Sequence, residues 1–207
     1  NKDHCLKLCE KIIDRKYNFN IWAYARIDTV KEEYLDVLKQ AGVNWLALGI
    51  ESGNTTVRKD VVKGKFTEVK IKDLVEKIQD AGINVIGNFI FGLPEDDIDS
   101  MNETLQMAKD LRCEFVNFYC TMAYPGSKLY LDAIANNWEL PGSYSGYSQH
   151  SYDMRPLDTK KITAAEVVRF RDDAFHEYYE SADYLDFIEK KFGLVTRNEI
   201  EKMTSHR

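Results

Sequence analysis

Four short stretches carry the side chains that could do chemistry. Arg26 and Asp28 close an apolar run, and Glu51 and Ser52 sit between Gly49 and Gly53. Asn88, Ile90, Gly92 and Glu95 lie in Gly-Asn-Phe-Ile-Phe-Gly-Leu-Pro-Glu, and Tyr124 begins Tyr124-Pro125-Gly126-Ser127. A carboxylate such as Glu51 accepts hydrogen bonds from ribose hydroxyls or from an ammonium group. The competing roles for Glu51 are a helix-start acid or a rim salt bridge; its place between two glycines favours a ligand. Gly92 has no Cβ, so either its backbone is open to close approach by a ligand or the residue only makes the turn. Asp96, Asp97 and Asp99 read as helix-start acids in preference to a cation site. His4, His150, His176 and His206 show no metal-ligand spacing, and no metal is expected on this chain. No phosphate-cradling Gly-x4-Gly-Lys-Ser/Thr pattern and no serine nucleophile elbow occurs.

The elements that position these groups follow from periodicity. Residues 3–16 read as a helix with Cys5, Cys9 and Ile12 on one face, the two thiols acting as small buried hydrophobes. Asn20–Ile27 is a strand, 31–41 a helix, Asn44–Ile50 a strand and 54–62 a short helix closed by Lys63-Gly64-Lys65. Residues 67–81 form the cleanest helix, with Ile71, Leu74, Val75 and Ile78 at helical spacing. The run Ile83–Phe91 suits a strand buried on both faces, ended by Gly92 and Pro94. A helix over 96–111 turns Ile98, Met101, Leu105 and Ala108 inward. Glu114–Met122 is a fourth strand, and Leu129–Ala135 a helix. Lys39-Gln40-Ala41-Gly42-Val43-Asn44 recurs as Gln79-Asp80-Ala81-Gly82-Ile83-Asn84, one helix-plus-strand unit later. Such alternation implies a parallel sheet joined by right-handed crossovers. The expected fold class is therefore α/β, a partial parallel (β/α) TIM-like barrel with a C-terminal helical extension. A short open sheet of another α/β type is the alternative. In parallel folds ligands sit at the carboxyl ends of the strands, where all four stretches fall.

Residues 138–162 hold Pro141, Gly142, Gly146 and Pro156 with Trp138, Tyr144, Tyr147 and Tyr152, and Tyr130 flanks them. Such a loop either caps a site or straps the outside of the barrel. Thr163 and Glu166 have capping-box spacing and open a helix to Tyr179. A second helix carries Leu185, Ile188 and Phe192 and stops at Gly193. The expected division is 1–137 as barrel, 138–162 as aromatic-rich loop and 163–207 as helical extension.

The 207 residues are 44% hydrophobic and 30% charged, the mix of an ordinary globular domain. No window approaches the ~20 apolar residues of a membrane span, and no signal peptide is expected. The net charge of −6 argues against a nucleic-acid scaffold driven by bulk charge. Four cysteines without a disulfide-framework spacing point to a reducing cytoplasm. Open sheet edges would invite self-association. The missing initiator Met fits a fragment or a processed product.

Trp22 to Asp28, Ala41-Gly42 to Gly53, Lys63-Gly64, Gly87 to Glu95 and Ala123 to Ser127, in that order and spacing, resemble radical S-adenosylmethionine (SAM) enzymes over residues 3–137. The stretch after 138 looks like the C-terminal extension of cobalamin-associated members. The resemblance implies that Glu51 and Ser52 contact the nucleoside or methionine part of SAM. It implies that Ile90, Gly92 and Glu95 lie along the adenine, with Asn88 standing where the family has a first glycine. Lys63 would meet the methionine carboxylate, with Arg26 as the rival, and main-chain groups of Tyr119 to Tyr124 would complete the adenine pocket. The family holds a [4Fe–4S] cluster on Cys-x3-Cys-x2-Cys. Here Cys5 and Cys9 have the first spacing, but Ile12 stands at the third position on a helix, so this is not the cluster loop. The chain then resembles the C-terminal part of such an enzyme, with cluster ligands, first barrel strands and any cobalamin domain outside it. Alone it should not reduce SAM. Intact, the enzyme would cleave SAM to methionine and a 5′-deoxyadenosyl radical that takes hydrogen from a small organic substrate. Cobalamin-assisted methyl transfer is the first choice of reaction, radical rearrangement or cyclisation the second, and methylthiolation the third. A non-catalytic binding or structural remnant of the barrel is the reading from another class.

Overall fold

A computed structural model describes residues 2–61 and 68–205. The elements follow the expected order. Helix α1 (Lys2–Asp14) leads to strand β1 (Ile21–Arg26); a short 3-10 turn and α2 (Leu35–Gln40) lead to β2 (Val43–Glu51). Helices α3 (Thr55–Val61) and α4 (Glu68–Asp80) precede β3 (Asn84–Phe91). Then come α5 (Ile98–Leu111), β4 (Phe115–Cys120) and α6 (Lys128–Ala135). The chain ends in α7 (Ala164–Tyr179), α8 (Ala182–Phe192) and α9 (Leu194–Thr204). The strands lie in the order β1-β2-β3-β4, and β1 with β2 and β2 with β3 pair in parallel. The α/β class with a parallel sheet stands.

The sequence repeat has a structural counterpart. α2 and α4 each end before a glycine with positive φ, Gly42 at +95° and Gly82 at +76°, and a strand follows each. A left-handed glycine after the last turn lets the chain leave the helix and re-enter the sheet.

The chain forms two compact units. One comprises Asn1–Glu51, Lys59–Phe89 and Met107–Asn117; the other comprises Ser52–Arg58, Ile90–Gln106 and Phe118–Arg207. In the first, α4 buries Ile71, Leu74, Val75 and Ile78 as its period requires. β2 buries Leu46, Leu48 and Ile50, and β3 buries Val85, Ile86 and Phe89. β1 differs: Trp22, Tyr24 and Arg26 alternate outward and are exposed. One face of the sheet is thus open at β1. Cys9 is buried but Cys5 is exposed, which corrects the expectation of two buried thiols. Cys5 belongs to the first turn of α1, ahead of the part of the helix face that is covered.

In the second unit, Phe91 stacks on Phe118 at 5.3 Å and meets Phe170 edge-on at 4.9 Å. Tyr178 and Tyr179 of α7 are fully buried beside Tyr184. Thr163 and Glu166 close the expected capping box at the start of α7. Ile98, expected inward, is 43% exposed. α5 is rotated so that Ser100, Met101, Thr104 and Ala108 face in, which carries Ile98 to the rim.

Residues 138–162 hold one 3-10 turn, Ser145–Tyr147. Leu157 packs in a cluster with Ala123 and Ala133. Gln149 accepts from the Cys120 amide at 3.0 Å and donates to the Cys120 carbonyl at 2.8 Å. Thr121 donates to Phe91 in β3, so strand alternation points the Cys120 amide to the opposite edge of β4. Gln149 therefore covers that edge at Cys120. Gln149→Ala leaves both backbone groups without their partner and should cost about 1–2 kcal/mol. It should also raise the dimer fraction in size-exclusion chromatography, since an unpaired edge templates association. An unchanged melting temperature and elution profile would count against the seal. Among the described residues no helix is long and apolar enough to cross a membrane.

Candidate functional site

The register of the first unit sets out one row across three strands. Arg26 lies opposite Gly49, and Gly49 lies opposite Asn88. Paired residues point to the same face, so this row belongs to the open face of β1. Arg26 is engaged by Asp28, through Nε to Oδ1 at 3.0 Å and Nη2 to Oδ2 at 2.6 Å. The guanidinium remains 59% exposed at the strand end, with its charge locally balanced. The Asn88 amide donates to the Leu48 carbonyl at 3.3 Å and accepts from Asn117 at 2.9 Å. Where the family resemblance calls for a glycine, this chain has an amide that bridges the strands.

Glu51 ends β2 at a register shift between Gly49 and Glu51. Its φ is +71°, a left-handed conformation that an L residue adopts at a cost. The strained turn folds the side chain back: a Cβ on Gly49 would lie 2.6 Å from Glu51 Oε1. Gly49 is thus the residue that leaves room for the Glu51 carboxyl on the open face. The carboxyl is half-buried, and desolvation pushes its pKa up from the ordinary value. No hydrogen bond or ion pair holds it among the described residues. The rim salt bridge is therefore not its role there. A strained, half-buried carboxylate without a partner among the described residues is an acceptor held ready for an external donor.

The second unit places the other candidates. Ser52 is fully buried, and its hydroxyl lies 3.2 Å from Thr104 Oγ1 and accepts from the Asn54 amide. The buried Arg58 donates to the Ser52 carbonyl at 3.0 Å. Ser52 thus shapes the loop from within. Ile90 is half-buried near the end of β3. Gly92 has φ +77°, and a Cβ there would lie 2.6 Å from Val167 Cγ1 of α7. The turn and the packing of α7 together account for its missing side chain, which leaves its backbone as the group to offer. Glu95 pairs with Lys160, and Asp97 pairs with Lys161 at 2.5 Å. Asp96 is 1% exposed and accepts from the Leu93 amide and the Ser100 hydroxyl, a deeper role than that of a helix-start acid. Burial raises its pKa against those hydrogen bonds. Tyr124 is 49% exposed, 6.4 Å from the Tyr147 ring. A cleft of about 320 Å³ runs along Gly92, Pro94 and Thr121 to Trp138, Leu157 and Lys160. Lys63 lies outside the described residues.

The sequence did not single out Asn117 and Thr104, and it marked Asp96 only as a helix-start acid. Asn117 had a signal, a polar residue inside the apolar Phe115-Val116-Asn117-Phe118. Thr104 had none, because its partner lies fifty-two residues away in the chain.

The cysteines do not form a cluster site. Cys9, Cys113 and Cys120 are buried, and burial holds the Cys120 thiol up at about 11. Among the described residues no three His, Cys, Asp or Glu side chains converge as metal ligands. The residues present do not fit a [4Fe–4S] cluster.

Comparison with known proteins agrees with this geometry. The model of the radical SAM superfamily matches residues 4–108. The chain is 25% identical over 179 residues to an uncharacterized methyltransferase, PH0819, of Pyrococcus horikoshii, covering 86% of this chain and 38% of that protein. It is 34% identical over 96 residues to a putative methylthiotransferase, MJ0865, of Methanocaldococcus jannaschii, covering 45% of this chain and 21% of that protein. The chain thus spans well under half the length of these relatives. Among solved structures, coproporphyrinogen III oxidase (HemN) of Escherichia coli superposes with a TM-score of 0.51 at 18% identity. That match covers 70% of this chain and 41% of HemN. The radical SAM methyltransferase TsrM of Kitasatospora setae gives a TM-score of 0.50 at 18% identity, over 57% of this chain and 25% of TsrM. The fold, the ordered rim motifs and the family match over half the chain agree: this chain belongs to the radical SAM superfamily.

Proposed function

We propose that this chain supplies part of the SAM-binding rim of a radical SAM enzyme that transfers a methyl group with the help of cobalamin. The observation that carries the reading is the Glu51 carboxyl, strained, half-buried and without a partner among the described residues. Glu51 would accept hydrogen bonds from the ribose hydroxyls or the methionine ammonium. Asn88 and Ile90 would border the adenine, and the backbone of Gly92 with the main chain up to Tyr124 would complete that pocket. Ser52 and Glu95 would hold the two rim loops in place. Arg26, half-neutralised by Asp28, would meet the methionine carboxylate, a role that Lys63 shares as a candidate. When SAM is bound beside a reduced cluster, the pair supplies the radical chemistry of the family. The cluster ligands and the cobalamin domain would come from outside this chain. We read 1–137 as barrel, 138–162 as strap and 163–207 as helical extension, and we place the enzyme in the cytoplasm with a small-molecule substrate.

Methyl transfer is favoured over rearrangement because a relative covering 86% of the chain is named a methyltransferase, as is TsrM. Methylthiolation, third from the sequence alone, becomes the second reading on the 34% identity to a putative methylthiotransferase. The test is anaerobic incubation of the full-length gene product with SAM, a low-potential reductant and cobalamin. Release of S-adenosylhomocysteine is the expected mark of methyl transfer. Formation of 5′-deoxyadenosine and methionine alone points to the rearrangement chemistry. No SAM consumption at all overturns the enzyme reading.

A further inference from the structure

α5 carries a polar stripe on its buried side. Ser100 and Thr104 lie four residues apart, one above the other, and Asp96, in the loop that leads into the helix, precedes Ser100 by the same interval. All three are buried, as is Ser52. Asp96 Oδ2 accepts from the Leu93 amide at 2.9 Å, and Oδ1 accepts from Ser100 Oγ at 2.6 Å. Thr104 Oγ1 donates to the Ser100 carbonyl at 3.0 Å. Its one proton being used, the same oxygen accepts from the Gly53 amide at 2.9 Å and stands as acceptor for the Ser52 hydroxyl at 3.2 Å. The Asn54 side chain adds a bond to Glu103 at 2.7 Å. Contact is close enough to demand a glycine: a Cβ at Gly53 would lie 2.6 Å from the Glu103 carbonyl oxygen. The two loops in question are Ser52–Asn54 after β2 and Gly92–Asp96 after β3. One face of one helix thus holds both, the first by the Gly53 amide on Thr104 and the second through the Ser100 hydroxyl on Asp96, which in turn holds the Leu93 amide.

Burying such a chain of hydroxyls and a carboxylate is costly unless every member is satisfied, and apolar side chains of equal volume would pack as well. Its use is positional. We propose that the Asp96–Ser100–Thr104 stripe is a positioning element that couples the two rim loops, with Thr104 its central positioning residue. Ordering of one loop by the nucleotide end of a ligand then stiffens the other. This inference rests on the proposed SAM rim.

The test measures S-adenosylhomocysteine affinity and amide hydrogen exchange in the full-length protein. Thr104→Val keeps the shape and removes the acceptor; Thr104→Ser keeps the hydroxyl and removes a methyl group. T104V should weaken binding roughly tenfold, as the loss of hydrogen bonds to a buried amide and hydroxyl implies. T104S should stay within about twofold of the wild type. Exchange at Gly53 should accelerate in T104V, and exchange at Leu93, held by Asp96, should accelerate with it. A packing role predicts the reverse order, with T104V near normal and T104S the weaker binder, and that result overturns the proposal. Acceleration at Gly53 alone overturns the coupling. If T104V does not fold, Ser100→Ala serves instead. It should accelerate Leu93 and Gly53 together, and unchanged exchange at Gly53 would refute the coupling. A wild-type protein that binds no S-adenosylhomocysteine refutes the SAM rim itself, an outcome distinct from all of these.

Discussion

Glu51→Gln should weaken binding of S-adenosylhomocysteine by roughly 10- to 100-fold while raising the melting temperature at neutral pH. The first effect is the loss of charge-assisted hydrogen bonds, which are worth about 1.5–3 kcal/mol. The second follows from linkage. Desolvation raises the folded-state pKa of Glu51, so the folded protein disfavours the ionised form relative to the unfolded chain. Stability is greatest below the unfolded-state value and falls as pH rises from that value to the folded one. The full cost is present above both. Glutamine carries no such cost, so the gain of the variant over the wild type should appear above that window and vanish below it. Isothermal titration and thermal melts between pH 4 and pH 8 read both effects. A variant that binds as well as the wild type, or one that is destabilised at neutral pH, would remove Glu51 from the site. The opposed signs are the signature of a side chain retained for function at the expense of stability.

Gly92→Ala should destabilise the protein by roughly 2–5 kcal/mol. About 1–2 kcal/mol comes from forcing an L residue to φ +77°, and about 1–3 kcal/mol from overpacking against Val167. The two terms separate in a double-mutant cycle with Val167→Ala. In that background Gly92→Ala should cost only the conformational part, a coupling of about 1–3 kcal/mol. Denaturant melts of the four proteins check it. Equal costs in both backgrounds would mean that Val167 does not fill the space. A stable Gly92→Ala protein that has lost S-adenosylhomocysteine binding would restore close approach by a ligand as the reason for this glycine.

Much of the fold was legible because its signals are local. Ile71, Leu74, Val75 and Ile78 repeat at the helical period, and Gly42 and Gly82 mark the same exit from helix to strand. The positions of the candidate residues at strand ends were legible, but their surroundings were less so. Ser52 read as a ligand contact, yet Gly53 lies so close to α5 that the Ser52 hydroxyl is turned to Thr104. Ile98 read as core, yet the inward place on α5 goes to Ser100 and Thr104. A helical period locates an apolar stripe and is blind to a polar one that is satisfied by a distant loop. Cys5 illustrates a simpler limit, since periodicity does not say where along a helix its partner surface begins. The φ of Glu51 was not readable at all, because glutamate carries no local preference for the left-handed region.

The most direct measurement is the hydrogen-exchange footprint of S-adenosylhomocysteine on the full-length protein. The account predicts protection concentrated at Gly49–Gly53 and at Asn88–Glu95, with little change in α8 and α9. Saturating ligand that protects other segments and leaves these two unchanged would contradict it.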